Sequence, residues 1–336
     1  MAISFVDYPR YVPPDGYERA VERVLERLRR VEGVVSVYQV GSVATPGISD
    51  IDLLAVFEDD AVVTFDPRKA LSPEARYLFI HRLFGISRRH FTQARRYTFY
   101  HHYALRWGEP LSLSGSGLGA DEVAQLKRQI ALEFLLWNYV TKTVDKTYGV
   151  ASVRFLLLTV HALRYDMEYL GVVGGALSDL IHHVVAWRQV WFERPVGGDA
   201  LNAWFSAFYP ALHAFLASAF DEQKLFLPLW AGSRYAPHIR LKRADRFACA
   251  HRGIRLPFGT RLPPTVYRLT MHALNRFRFT VPATGRGAGV LEDRFRFLRA
   301  AKAHNAARLR RFDPPGSVLA LSLLRGLPHP VPEVAL

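Results

Sequence analysis

The chain has a single cysteine, Cys249, among its 336 residues. One cysteine cannot form an intrachain disulfide, and it cannot build a zinc site that needs several thiolates. Lysine is also scarce, since only seven of the 44 basic residues are lysine and arginine provides the rest. The low cysteine usage favours a reducing cytoplasm as the location of the protein.

Long apolar runs are missing as well. No uncharged apolar run reaches the roughly 18 residues that a helix needs to span a bilayer. Residues 1–16 lack the basic-then-apolar order of a signal peptide. We therefore expect a soluble protein with no membrane partner. Half of the residues are hydrophobic, so the chain can bury a sizeable core and form two or three domains.

Two predicted strands flank a connection rich in turn-forming residues near the N-terminus. Val34 to Val40 is β-branched and aromatic enough for a strand, and Ile51 to Phe57 forms a second apolar run. The connection, Gly41 to Ser49, contains two glycines and a proline. Before the first strand, Tyr17 to Val31 has apolar residues at i, i+3 and i+4 spacing. This spacing predicts a helix that packs on the sheet.

Two carboxylates lie at the start of the second strand. Because side chains alternate between the faces of a strand, Asp50 and Asp52 should project from one side. Ile51 and Leu53 should then point into the core. Two carboxylates this close repel each other unless a cation lies between them, and Mg²⁺ prefers such oxygen ligands. Gly41 allows the backbone to approach a phosphate, and Ser42 adds a hydroxyl donor. The pattern indicates a triphosphate held over Mg²⁺, although an Asp-x-Asp alone also fits an exposed hairpin.

These residues resemble a known signature. Gly41-Ser42, then seven residues, then Asp50-Ile51-Asp52-Leu53 is similar to the motif of the nucleotidyltransferase superfamily, which includes polymerase β-like enzymes, CCA-adding enzymes and aminoglycoside nucleotidyltransferases. The resemblance implies that Gly41 and Ser42 bind a nucleoside triphosphate and that Asp50 and Asp52 bind catalytic Mg²⁺. We add Ser49, the last residue of the connection, to the predicted nucleotide-binding residues. The resemblance covers roughly the first third of the chain.

The resemblance also implies a third carboxylate on a later strand, which joins the metal site and acts as the base. The next long apolar run, 76–84, contains His81 and two arginines but no acid. Asp66 and Glu109 are candidates for the missing ligand, although a lone carboxylate in a loop is usually solvated. If neither provides it, His81 could serve as the base, or the site could bind nucleotide without turning it over.

Positive charge is concentrated near the C-terminus. Residues 232–313 contain nineteen Lys and Arg against four Asp and Glu, whereas the whole chain has a net charge of +14. Phenylalanine alternates with arginine in 276–279 and again in 294–297. Because arginine pairs well with phosphates and aromatic rings stack on bases, this pattern predicts a nucleic-acid surface. A basic solvated face, however, needs no partner.

Helical patterns dominate the middle of the chain. A small-residue linker, Ser112 to Gly117, precedes four predicted helices. They cover a run that Asp121 can cap and that ends near Tyr148, and the ranges 153–170, 178–192 and 201–220. We therefore predict an α+β protein with a nucleotidyltransferase-like domain of mixed sheet and helices at 1–115, a mainly helical domain at 118–230, and a basic, arginine-rich region at 231–336.

The predicted function is Mg²⁺-dependent transfer of a nucleotidyl group from a nucleoside triphosphate to an acceptor hydroxyl, with Asp50 and Asp52 as catalytic and metal-binding residues. The alternative is a catalytically silent nucleotide- or RNA-binding protein of the same fold. The sequence contains no signal for or against self-association.

Overall fold

The computed structural model describes residues 2–98, 102–112, 117–228, 233–256, 262–285, 287 and 289–324. The chain forms two compact units. Among the described residues, the N-terminal unit comprises Tyr11–Ala120 and Glu292–Ser317, and the helical unit comprises 2–10, Asp121–Leu291 and 318–324. Mixed sheets and helices together make an α+β protein, as predicted.

Strands and helices alternate in the first third of the chain, and longer helices follow. The strands are β1 (Ser4–Val6), β2 (Val34–Val40), β3 (Asp52–Phe57), β4 (Phe84–Ser87), β5 (Tyr103–Gly108), β6 (Val150–Ser152), β7 (Leu225–Phe226), β8 (Ser233–Ala236), β9 (Ile239–Ala244), β10 (Ala248–Gly253) and β11 (Asn275–Thr284). The helices are α1 (Pro14–Leu28), α2 (Pro73–Tyr77), α3 (Arg88–Thr98), α4 (Ala120–Tyr148), α5 (Val153–Tyr169), α6 (Ala176–Val190), α7 (Gly198–Glu222), α8 (Pro264–Leu274), α9 (Val290–Ala307) and α10 (Val318–Leu323). A 3₁₀ turn covers Pro67–Ala70.

The N-terminal unit is built on a four-stranded mixed sheet in the order β4-β3-β2-β5. Strand β2 is antiparallel to β3 and β5, and β4 is parallel to β3. The predicted helix is present as α1, and its predicted stripe is buried against the sheet at Val21, Val24, Leu25 and Leu28. Ile51 and Leu53 belong to the same core, so the predicted inward-facing residues are confirmed.

The apolar run 76–84 does not form a strand. Pro73 starts helix α2, and the Ser72 side chain caps it by accepting a hydrogen bond from the Ala75 N–H at 3.2 Å. The chain enters the sheet only at Phe84, the first residue of β4. His81 therefore lies in the connection between α2 and β4.

A late segment of the chain completes the N-terminal unit. The Val63 N–H donates to the Arg308 carbonyl at 2.7 Å, and the Gly85 N–H donates to the Asp313 carbonyl at 2.9 Å. Phe312 is 3% exposed and packs in the core that α1 and β3 share. Residues 292–317 thus contribute both backbone hydrogen bonds and apolar contacts to a unit that the chain begins almost 300 residues earlier.

The helical unit contains the four predicted helices as α4 to α7, close to their predicted bounds. Beyond them, β8 to β11 form a sheet in the order β10-β11-β9-β8, and β7 pairs with β11. The predicted linker falls partly on residues 113–116, which lie outside the described residues. The three domain bounds predicted from composition stay a prediction. In the part of the chain that the structure describes, no helix is both long and apolar enough to cross a bilayer.

The alternating arginine and phenylalanine residues of 276–279 lie on β11 and face opposite sides of the sheet. Phe277 and Phe279 are 2% and 0% exposed, whereas Arg276 and Arg278 are exposed. The prediction that these rings stack on bases is therefore wrong, because the period-2 pattern here builds the core. In α9, the alternation at 294–297 likewise buries both phenylalanines.

Candidate metal centre

Two tyrosines hold the loop between β2 and β3. The Tyr17 hydroxyl accepts a hydrogen bond from the Gly47 N–H and donates one to the Ser49 carbonyl, each at 2.8 Å. The Tyr77 hydroxyl donates to the Gly47 carbonyl, also at 2.8 Å. Tyr17 is 3% exposed, so its two bonds are shielded from competing water. The loop that precedes Asp50 is therefore tied to α1 and α2 by side-chain hydroxyls.

The second half of the loop closes on itself and places Asp50. The Ser49 N–H donates to the Thr45 carbonyl at 2.8 Å, and the Ser49 hydroxyl accepts from the Thr45 N–H at 3.1 Å. One residue later, the Ile51 N–H donates to the Leu78 carbonyl at 2.8 Å. Ser49 is 3% exposed, and its hydroxyl makes a bond within the loop. Its role in nucleotide binding stays a prediction.

Three side chains with metal-ligating atoms converge at the start of β3. Asp52 is the first residue of that strand, Asp50 lies two residues before it, and His81 reaches them from the connection after α2. The His81 Nε2 lies 2.6 Å from Asp52 Oδ1 and 3.8 Å from Asp50 Oδ2. One ligating atom from each of the three lies within 4.8 Å of the others. Among the described residues, this is the only cluster of three or more such side chains.

The carboxylates determine the charge of His81. Burial of the ring opposes protonation, but the hydrogen bond and the charge of Asp52, followed by the charge of Asp50, outweigh it and raise the pKa of His81 to about 9. The other ring nitrogen, Nδ1, faces the Arg82 carbonyl, which further favours the charged form. At neutral pH the metal-free cluster therefore contains an imidazolium between two carboxylates.

Gly41 lies beside this cluster. Val40, the last residue of β2, pairs with Asp52 in the sheet register. Gly41 follows it with a φ of +79°, a backbone conformation that favours glycine. A Cβ at this position would lie 3.6 Å from Asp52 Oδ2, so the glycine borders the carboxylate directly. Ser42 is exposed next to it, and the roles of both in binding a triphosphate stay predictions.

Neither candidate for the third carboxylate belongs to the cluster. Both carboxylate oxygens of Asp66 accept hydrogen bonds from Arg68. Glu109 forms an ion pair with Arg88. Strand β5, which pairs with β2 on the far side from β3, contains no Asp or Glu. His81 is thus the third member of the cluster.

The sequence offered no signal for the residue that holds the His81 segment in place. Arg68 binds both oxygens of Asp66 and also donates through Nη1 to the His81 carbonyl. Asp66 itself caps the 3₁₀ turn by accepting from the Arg68 N–H at 3.0 Å. A short Asp-Pro-Arg segment is common in turns, and nothing in its spacing points to a residue thirteen positions later.

The helical unit contains a separate cavity of about 770 Å³. Aromatic rings of Tyr139, Tyr209 and Phe247 line it, together with basic side chains such as Lys146. None of the predicted site residues lines this cavity. We place the candidate site at Asp50, Asp52 and His81 because ligating chemistry, and not cavity volume, defines a metal site.

Comparisons of this chain with protein-family models, with curated proteins and with solved structures found no match. The function of the cluster must therefore be inferred from its own residues.

Proposed function

We propose that the protein is a metal-dependent nucleotidyltransferase that transfers a nucleotidyl group from a nucleoside triphosphate to an acceptor hydroxyl. The observation that carries the proposal is the convergence of Asp50, Asp52 and His81 beside the positive-φ glycine Gly41. Two carboxylates at the start of a strand and a glycine turn at the end of its neighbour would bring a cation site and a phosphate site together.

The donor atoms fit a divalent cation. Asp50 and Asp52 provide carboxylate oxygens, which suit Mg²⁺ and Mn²⁺, and His81 adds one imidazole nitrogen. The ligating atoms are already within 4.8 Å of one another. Mg²⁺ keeps positions for water and phosphate oxygens when only two or three protein ligands bind it. Bound there, the cation would neutralise charge on the triphosphate.

Residues next to the carboxylates would bind the phosphates of the nucleotide. Gly41 and Ser42 would hold the phosphates through backbone N–H groups and a hydroxyl. The acceptor oxygen forms a bond to the α-phosphorus, the bond between that phosphorus and the bridging oxygen breaks, and pyrophosphate leaves. The proton of the acceptor hydroxyl passes to solvent water, because His81 is an imidazolium in the metal-free cluster and would be a ligand once the cation is bound.

A second candidate function is nucleotide or RNA binding without turnover. It is favoured by one observation, namely that no third carboxylate joins Asp50 and Asp52 among the described residues. In either case the proposed partners are a nucleoside triphosphate and a nucleic acid bound by the basic C-terminal region. The single cysteine supports the cytoplasm as the place where the protein acts.

Label transfer tests the proposal. Purified protein is incubated with each α-labelled nucleoside triphosphate, Mg²⁺ and a mixed pool of RNA and protein acceptors. We expect transfer by the wild type and none by an Asp50→Asn/Asp52→Asn variant. The matched control is Asp121→Asn/Asp179→Asn, which changes the net charge equally at two exposed helix positions, and it should transfer normally. Absence of transfer with nucleotide binding retained would favour the second candidate function.

A further inference from the structure

The outer face of the sheet β10-β11-β9-β8 carries a row of arginines. Arg234 on β8 is in register with Arg240 on β9, and Arg240 is in register with Arg278 on β11. Residues in register on neighbouring strands share a face and lie about 4.8 Å apart in the direction of the backbone hydrogen bonds. We call these three residues the arginine row.

The arginine row is exposed and lacks acidic partners. All three side chains are exposed. Within the described residues, none of them forms an ion pair with Asp or Glu. The four strands of this sheet contain no Asp or Glu at all. The row therefore differs from exposed arginines such as Arg19 and Arg296, which pair with carboxylates on their own helices.

Like charges placed directly opposite each other in a sheet destabilise it. Arginine cannot relieve this repulsion by losing its proton, because its pKa lies far above neutral pH. Three guanidinium groups in one cross-strand row are thus a cost to folding that no described acidic residue offsets. An anion with several regularly spaced negative charges would remove that cost when it binds.

Neighbouring residues extend the positive face and keep it free of rings. Lys242 and Arg252 are exposed on the same face, since they are in register with Thr280 and Arg276. The position next to Arg278 on β10 is Ala250, a small residue. The phenylalanines of β11 face the opposite side and are buried. Within the described strands β8 to β11, this face therefore offers charge to a ligand and places no aromatic side chain on it.

We propose that the arginine row binds the phosphodiester backbone of a nucleic-acid strand. The proposal gives the nucleic-acid partner of the proposed function a definite surface, but it rests on the sheet and not on the metal cluster. Guanidinium groups pair with phosphates through two parallel hydrogen bonds. Because the described strands place no ring on this face, we expect binding to depend on phosphates and to be independent of base sequence and of the sugar. A membrane surface fits less well, because the described residues of the face include no large apolar side chain to insert.

The test measures binding of fluorescently labelled single strands of 20 nucleotides, one RNA and one DNA, by anisotropy at several salt concentrations. The variant Arg234→Gln/Arg240→Gln/Arg278→Gln should bind both strands at least tenfold more weakly than the wild type. Each lost phosphate contact lowers the steepness of log affinity against log salt by about 0.7 for single strands, so three contacts lower it by about 2. Removing like charges should not lower the thermal stability of the variant.

The matched control is Arg19→Gln/Arg29→Gln/Arg88→Gln. These three arginines form ion pairs with Asp15, Glu22 and Glu58, and the variant has the same net charge as the row variant. It should bind as the wild type does, within about twofold. The proposal is overturned if the two variants weaken binding equally, if the wild type binds neither strand, or if it binds only vesicles that contain anionic lipid.

The proposal for the metal cluster and the proposal for the arginine row can be tested separately. The Asp50→Asn/Asp52→Asn variant should retain full affinity for both strands, with or without EDTA. If label transfer fails but strand binding and its dependence on the row persist, only the proposed enzyme activity is wrong. If transfer to a small acceptor occurs while the row variant binds strands normally, only the proposed surface is wrong.

Discussion

The Nε2 atom of His81 lies 2.6 Å from Oδ1 of Asp52, and 3.8 Å from Oδ2 of Asp50. The nearer carboxylate contributes both a hydrogen bond and a charge, whereas the farther one contributes a charge. The two aspartates that the sequence presents as equivalent therefore act unequally on the histidine.

We expect Asp52→Asn to lower the pKa of His81 from about 9 by more than Asp50→Asn does. The amide removes the charge that favours the imidazolium, and at position 52 it also replaces a charged hydrogen-bond acceptor. Proton NMR of the histidine ring in metal-free protein, titrated from pH 5 to 10, measures both values. Equal shifts in the two variants would contradict the ranking of the carboxylates.

The stability of the metal-free protein should depend on pH through the same residue. The folded-state pKa of His81 lies above its ordinary value of 6.5, so its contribution to the free energy of unfolding is fully present below pH 6.5 and is lost as the pH rises through about 9. The wild type should therefore exceed His81→Gln in stability most clearly near pH 6, and the difference should shrink by pH 9.5. Urea denaturation at both pH values measures it, and a constant difference would show that His81 stabilises the fold only by packing.

Tyr17→Phe should loosen the loop before Asp50. The change leaves the Gly47 N–H and the Ser49 carbonyl without the hydroxyl that each now contacts, at a cost of about 1–3 kcal/mol in the free energy of unfolding. The matched change, Tyr77→Phe, removes one bond from a less buried hydroxyl and should cost about 0.5–1.5 kcal/mol. Thermal and urea denaturation compare the two, and a larger effect at Tyr77 would show that the loop is held differently.

Gly41→Ala should weaken phosphate binding beyond its effect on the backbone. At this positive φ, a residue with a Cβ lowers the free energy of unfolding by about 1–2 kcal/mol relative to glycine. At position 41 the added Cβ would also contact Asp52 Oδ2. Gly171→Ala is the control, because it has a φ of +72° and open space around it. Both variants should lose similar stability, whereas only Gly41→Ala should bind Mg²⁺ with ATP about tenfold more weakly in calorimetry. Equal affinities in the two variants would show that Gly41 does not contribute to binding the phosphates.

Local sequence patterns were sufficient to predict the helix and the two strands around Asp50 and Asp52. Apolar periodicity predicted α1, β2 and β3, because each of these elements buries one face against its neighbours in the sequence. In 76–84, apolar composition does not mark where the strand begins, because Ser72 and Pro73 start a helix just before the run and β4 starts only at Phe84. Local reasoning failed for Phe277 and Phe279, since alternation predicts two faces of a strand but not which face meets the core.

The candidate site itself was predictable only in part. Asp50 and Asp52 are two residues apart, so the sequence alone places them near each other. His81 is 29 residues beyond Asp52 and joins it because Arg68 and the turn after α2 hold the segment between them. The arginine row needs the register of three strands from different parts of the chain, and a parallel pair such as β9 and β11 has no local turn that fixes it.

The return of residues 292–317 to the N-terminal unit also affects how the protein is made. Ribosomes add about 5–20 residues per second, so Asp50 and Asp52 emerge on the order of tens of seconds before the residues that bond to Val63 and Gly85. During that interval the strand β4 lacks its last backbone partners, and the core around Phe57 lacks the ring of Phe312. The nascent chain therefore carries an unfinished sheet until residues 292–317 have emerged, and only then can the N-terminal unit complete its core.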